Sequence, residues 1–456
     1  MRRGFNTRSL HAGQEPDPAT GSRAPPIHQT TAYVFEDADY AADLYALEAD
    51  GDIYSRISNP TVRQLEDRLA DLSGGTGAVA TASGMAALDA AVSVLAEVGD
   101  NVVASADMYG GTQTYFEKMA TRRGIETRIV DTLDYDAYAA AIDADTAFVH
   151  AETMANPSLV TPDFERLAEV AHAHGAPLFV DNTFATPYLC RPLEHGADLV
   201  WESTTKWIHG HGTTIGGALV DGGSFPWADG DYPEVAGDNP AYHDVDFSER
   251  FPDAPLAAAA RYRSIRSLGN GQSPFDAWQT MQGLETLPLR MDRHCENAHL
   301  VAEFLRGHED VAWVTYPGLD DHPTHDNAAR YLADFGGMLT FGLEGGYDAG
   351  RRLCEETALA SFLANVGDAK TLIIHPASTT HAQLSPDQQR EAGVQPDMLR
   401  LSVGIESPED IVADLEQGIE RASDGANRSG ADATGSDQTD DGTESTTRDA
   451  PDSTPE

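Results

Sequence analysis

Pro177-Leu178-Phe179-Val180-Asp181 is a short apolar run that stops at a carboxylate, and Asp198-Leu199-Val200-Trp201 repeats the pattern just before Ser203-Thr204-Thr205-Lys206. Runs this short and this apolar read as buried strands. The same pattern extends outward from them. Upstream, a helical pattern over 62–72 leads to Ala78-Val79-Ala80, then to an alanine-rich helix over 83–98. Strand-like runs follow at 102–104, 125–130 and 147–149, with helical patterns over 112–122 and 163–174. Downstream, residues 217–220 complete the series. Helices alternating with short apolar strands predict an α/β fold with a mostly parallel, doubly wound sheet, whose ligands bind at the carboxyl ends of its strands.

At 456 residues the chain is too long for one ordinary core, so two domains are expected. Residues 1–60 are rich in turn formers and read as an irregular arm. The sheet domain spans 61–260 and ends in a long polar stretch, 221–260, too long for a simple connection. A smaller, helix-rich C-terminal domain is expected over 261–421. Residues 422–456 are mainly Asp, Ser, Thr and Gly, a composition that predicts a disordered acidic tail.

Asp and Glu number 74 against 30 Lys and Arg, a formal net charge of −44. Such a surface is poorly suited to nucleic acid or to an anionic membrane. It suits a protein kept in molar salt, where screening shortens self-repulsion to about 3 Å at 1 M, and a halophilic source is expected. Three lysines stand in the whole chain, Lys118, Lys206 and Lys370. Cys190, Cys295 and Cys354 are widely spaced and form no C-x-x-C pair, so neither a disulfide framework nor a zinc site is indicated. The histidines of His209-Gly210-His211 would diverge and lack a third ligand, so no metal is expected. No apolar run follows Arg2-Arg3, and none approaches the ~20 residues of a membrane span, which together predict a cytoplasmic protein.

A carboxylate at a strand end, followed by hydroxyls beside a lone lysine, is what pyridoxal phosphate (PLP) requires. Lys206 would condense with the aldehyde, Ser203 and Thr205 would bind the phosphate, and Asp181 would pair with the ring nitrogen. Asp181 could instead be a simple helix cap. Ser83-Gly84-Met85 lies between a strand and a helix, where free N–H groups and the helix dipole favour an anion. Tyr109 follows another strand and could stack on a planar ring or be an ordinary loop aromatic. Tyr54 and Arg56, in the arm, could reach a phosphate or pack on the body. Arg400 lies within the apolar Leu399–Val403 and needs an anion, either a structural carboxylate or that of a substrate.

Together these segments resemble the Cys/Met-metabolism family of PLP enzymes, of the aspartate-aminotransferase-like fold (PLP fold type I), over roughly residues 5–421. The resemblance is carried by DNTFATPYLCRP at 181–192, GHGTTIGG at 210–217, SPFDAWQTMQGLETLPLRMDRHCEN at 273–297 and DAKTLIIHPASTTH at 368–381. The 221–260 insertion is longer than in cystathionine-type relatives. The resemblance implies γ-replacement on O-acetyl-L-homoserine with sulfide or a small thiol. It assigns Lys206 to the cofactor aldehyde and to proton transfer, and Asp181 to the ring nitrogen. Tyr109 would stack on the ring and take part in catalysis, and Asn156 would lie beside the ring hydroxyl. The phosphate would fall to Ser83, Gly84, Met85, Ser203 and Thr205. Tyr54 and Arg56 would reach the phosphate of a neighbouring subunit, in a dimer or tetramer. Arg400, helped by the Ser378 region, would bind the substrate carboxylate. Methionine γ-lyases of the family usually carry Cys two residues after the stacking tyrosine; Gly111 stands there in this chain.

Overall fold

The computed structural model describes residues 3–432, apart from 243 and 392. Strands β1 (Gly77–Thr81), β2 (Asn101–Ser105), β3 (Glu126–Val130), β4 (Thr146–Glu152), β5 (Leu178–Asp181), β6 (Leu199–Glu202) and β7 (Gly217–Asp221) form one sheet. Their order is β1-β7-β6-β5-β4-β2-β3. Strands β2 to β6 pair in parallel, and β7 runs against both of its neighbours, β1 and β6. The sheet is therefore mostly parallel, with one reversed strand that strand patterning does not reveal.

Alternation along each strand explains burial on both faces. Phe148, Phe179, Leu199 and Leu219 enter the core that holds the helix Gly84–Leu95. Their neighbours Val149, Val180, Val200 and Val220 enter the opposite core, with the helices Pro60–Ser73 and Phe164–Ala173. Each such side chain contributes about 1.5–3 kcal/mol when fully buried. A one-residue slip would exchange the two sets, so register, and with it the face taken by Glu152 and Asp181, is strongly specified. Local chemistry sets the helix ends: Asn59 accepts from Thr61 N at 2.9 Å, Pro60 opens the helix, and Gly74 closes it at φ 80°.

A second sheet contains β8 (Val311–Thr315), β9 (Met338–Leu343), β10 (Ser361–Phe362), β11 (Leu372–Ile374) and β12 (Met398–Ser402), ordered β10-β11-β12-β9-β8. The helix Pro274–Gly307, 34 residues long, packs against elements of both sheet domains. Pro288 lies inside it, where proline ordinarily ends a helix. Two residues on, the buried Arg290 donates to Gly283 O at 2.7 Å.

Three regions differ from their composition. The arm contains helices Phe5–His11 and Ala38–Tyr45. The first is docked by Phe5 edge-on to Tyr188 at 5.2 Å and by Arg8 donating to Asp71 O at 2.6 Å. The polar stretch is anchored as well: Tyr232 donates to Ala147 O at 3.0 Å and Arg250 Nε to Leu47 O at 2.7 Å. The last helix, Pro408–Asp432, enters the segment expected to be disordered, and residues 433–456 lie outside the described residues.

Reversal of β7 has a local consequence. It inserts Gly217 between the carboxyl ends of β1 and β6, where a Cβ would lie 2.2 Å from Ser83 O. Replacing Gly217 by alanine is expected to lower the free energy of unfolding by about 1–3 kcal/mol, the usual cost of overpacking. Equilibrium urea unfolding checks this; an unchanged midpoint would show that the junction has slack.

Candidate active site

A cavity of about 550 Å³ opens at the carboxyl ends of β4, β5 and β6. From the sheet domain it gathers Ser83, Gly84, Met85, Tyr109, Asn156 and Asp181. Ser203, Thr205 and Lys206, from the segment after β6, join them, as does Arg400 of the second sheet.

Lys206 Nζ donates to Asn365 Oδ1 at 2.6 Å. Burial, and then the charge of Arg400, lower its pKa from 10.5 to about 8. The backbone around it is held from two directions. Arg290 donates to Trp207 O at 2.7 Å and to Ile208 O at 3.0 Å. From the other side comes Gly367, at φ 76°, where a Cβ would lie 2.5 Å from Trp207 N and 3.1 Å from Lys206 Cα.

Asp181 is buried and accepts from Thr183 N at 2.9 Å. Burial nevertheless raises its pKa from 3.8 to about 7. Glu152, its register partner on β4, is buried beside it. Burial and the charge of Asp181 push the Glu152 carboxyl well above its ordinary range, although it accepts from Tyr109 N and Asn156 N. Behind them, burial moves Glu202 up to about 8, and Asn182 donates to it at 2.9 Å. A buried carboxyl lining a cavity in this way calls for a protonated nitrogen opposite it.

At the other end, Ser83 accepts from Ala86 N at 3.1 Å and caps the helix Gly84–Leu95. The approach is close: a Cβ on Gly84 would lie 2.8 Å from Ser203 Cβ. Thr205 Oγ1 accepts from Gly216 N at 3.0 Å and donates to Gly216 O at 3.1 Å. First-turn amides and hydroxyls meeting at a glycine form an anion-binding concavity. Tyr109 is 47% exposed, and its ring lies over Gly111, where a Cβ would fall 2.3 Å from Tyr109 Cε1. Arg400 donates to Asn156 Oδ1 at 3.2 Å, and burial lowers its pKa to about 10, so it stays cationic at neutral pH. Among the described residues no carboxylate lies within ion-pair distance of it. That favours a ligand anion over a structural one.

Three residues named from the sequence do not line this cavity. Tyr54 and Arg56 lie together in the arm, the guanidinium 5.5 Å from the ring centroid. Ser378 Oγ is 2.8 Å from His375 Nδ1, although the flanking Pro376 and Thr380 do reach the cavity. Residues missed from the sequence include Glu152, Thr183, Asn365 and His381. Glu152 could have been found, because it ends an apolar run as Asp181 does. Asn365 carries no such mark; only the approach of the second domain places it on Lys206.

An amine with a depressed pKa, a buried carboxyl and an anion cradle around one cavity fit pyridoxal phosphate, and the protein is a PLP-dependent enzyme. The family model for Cys/Met metabolism PLP-dependent enzymes matches residues 6–420, and the chain belongs to that family. It is 49% identical over 422 residues to homocysteine synthase of Schizosaccharomyces pombe, covering 92% of this chain and 98% of that one. It is also 49% identical over 418 residues to O-acetyl-L-homoserine sulfhydrylase 1 of Thermus thermophilus, covering 91% and 99%. The solved structure of the Campylobacter jejuni metY protein, which contains N'-pyridoxyl-lysine-5'-monophosphate, matches with a TM-score of 0.88 at 39% identity, covering 92% of this chain and all of that one. That of metB from Corynebacterium glutamicum matches with a TM-score of 0.79 at 36% identity, covering 92% and 98%.

The depressed amine can be measured directly, because the chain has three lysines. In cofactor-free protein with ¹³C-methylated lysines, Lys206 is expected to titrate near 8 by NMR. Asn365→Leu keeps the burial but removes the acceptor of the charged form, so the pKa should fall further. A titration at the ordinary lysine value would contradict the desolvation argument.

Proposed function

We propose that the chain is an O-acetylhomoserine sulfhydrylase. It replaces the acetate on Cγ of O-acetyl-L-homoserine by sulfide, giving L-homocysteine, or by methanethiol, giving methionine. The observation that carries this reading is the 49% identity, over nearly the whole chain, to relatives named homocysteine synthase and O-acetyl-L-homoserine sulfhydrylase. The site supports it: an amino-acid substrate needs one cation for its carboxylate and one amine for proton transfer. Arg400 and Lys206, which line the same cavity, are the groups we assign to those two roles.

Lys206, Ser83, Gly84, Met85, Ser203 and Thr205 would hold the cofactor, with Asn156 beside it. Pyridoxal phosphate, when bound, supplies an aldehyde for the substrate amine and an electron sink for the carbons next to it. Asp181 would keep the ring nitrogen protonated, and the Tyr109 ring would form one wall. Arg400 binds the substrate carboxylate and so fixes which carbon lies nearest Lys206. The burial that lowers the Lys206 pKa to about 8 enlarges the share of neutral amine able to take a proton near neutral pH. That fraction grows as pH rises through 8. Lys206 removes the proton from Cα, a second proton leaves Cβ, and acetate departs from Cγ. Hydrosulfide then adds at Cγ, and both carbons are reprotonated. The balance is O-acetyl-L-homoserine plus hydrogen sulfide giving homocysteine plus acetic acid.

Tyr54 and Arg56, exposed in the arm and away from their own cavity, are proposed to complete the phosphate site of a second copy, in a dimer or a tetramer of such pairs. The excess of acidic residues supports an enzyme adapted to high salt. Among the described residues no helix is long and apolar enough to cross a membrane.

Homocysteine formation from O-acetyl-L-homoserine and sulfide in molar KCl tests the activity. Lys206→Ala is expected to lower it by a factor of about 10²–10⁴ or more. If cystathionine forms from added cysteine while sulfide gives nothing, the enzyme is a cystathionine γ-synthase. On dialysis to low salt the protein should unfold and then recover when salt is restored; a fold indifferent to salt would remove the halophilic assignment.

A further inference from the structure

Two carboxyls line the cavity, Asp181 and Glu152, and the reaction described above gives a task only to the first. Glu152 ends β4 in register with Asp181 and is buried. Its hydrogen bonds go to backbone amides: Oε1 accepts from Tyr109 N at 2.5 Å and Oε2 from Asn156 N at 3.2 Å. Those amides belong to two different loops. Tyr109 follows β2 and carries the aromatic wall. Asn156 follows β4, and its side-chain oxygen accepts from Arg400, on β12 of the other sheet, at 3.2 Å. One carboxyl therefore links the aromatic wall to the cation that crosses from the second domain.

An acid at this position is costly. It is desolvated, it stands beside another carboxyl, and among the described residues it has no ion-pair partner. An apolar side chain of similar volume would fill the space more cheaply. What an apolar side chain could not do is accept from both loops at once.

We infer that Glu152 is a positioning residue: it holds the Tyr109 loop and, through Asn156, the Arg400 guanidinium in a single frame. The inference rests on the reading of Arg400 as the group that binds the substrate carboxylate. Its two oxygens have separable duties. Glutamine keeps a carbonyl oxygen for Tyr109 N, the shorter bond, and turns an amide N–H toward Asn156 N, itself a donor. Glu152→Gln therefore releases only the Asn156–Arg400 side, whereas Glu152→Ala releases both.

The test uses steady-state kinetics of the loaded enzyme and, separately, absorbance titration of stripped protein with pyridoxal phosphate. Glu152→Gln is expected to raise KM for O-acetyl-L-homoserine about tenfold, with kcat and the cofactor dissociation constant each within about twofold. Glu152→Ala should raise that KM and also weaken cofactor binding by about tenfold. Arg400→Gln is the control and should raise KM alone. If Arg400→Gln raises KM and Glu152→Gln does not, the positioning role is overturned. Equal losses of thermal stability and cofactor affinity, with equal rises in KM, in both Glu152 variants would also overturn it, as the mark of a merely structural residue. If Arg400→Gln leaves KM unchanged, the Arg400 reading fails instead. Glu152 is then judged by cofactor affinity, which Ala must weaken and Gln must spare.

Discussion

Burial moves Lys206 from an amine fully protonated at neutral pH to one that titrates near 8, and much of the surrounding structure serves to keep it buried. A lysine side chain is long and mobile, and it escapes to water unless its backbone is fixed. Here the fixing comes from outside the sheet that carries it. The long helix contributes Arg290, whose guanidinium reaches the two carbonyls that follow Lys206. It also contributes Gly283, where a Cβ would lie 2.3 Å from His209 O. The loop between β10 and β11 contributes Gly367 against the Lys206 backbone and Asn365 against its amine. Both domains are therefore needed to hold one side chain out of water.

Charge in the cavity is arranged in the same economical way. Lys206 and Arg400 share the cavity with Asp181 and Glu152. Desolvation moves three of these groups toward their uncharged forms and lowers the fourth, Arg400, without neutralising it. Each group is then ready to respond to an opposite charge placed beside it. The anion cradle works differently. It relies on backbone amides and hydroxyls brought together by glycines, which need no titration.

Much of the fold could be read from the chain. Short runs such as Pro177–Asp181 are buried on both faces, so their apolarity is continuous and marks them as strands. What could not be read were features created by distant contacts. The arm helix Phe5–His11 is docked by Tyr188 and Asp71, and the polar stretch 221–260 is anchored by Tyr232 and Arg250. Neither leaves a trace in local composition, because partners far away in the chain, most of them backbone carbonyls, hold them in place.

The site divides along the same line. The sequence by itself determined which groups could do chemistry. A lone lysine behind hydroxyls, and a carboxylate closing an apolar run, announce buried polar groups that a fold tolerates only for a purpose. Tertiary structure alone decided where they meet. The reversed β7 puts Gly217 against Ser83, strand register puts Glu152 beside Asp181, and the second domain delivers Arg400 and Asn365. Residue type is a local property, whereas distance depends on how the two sheets pack against each other.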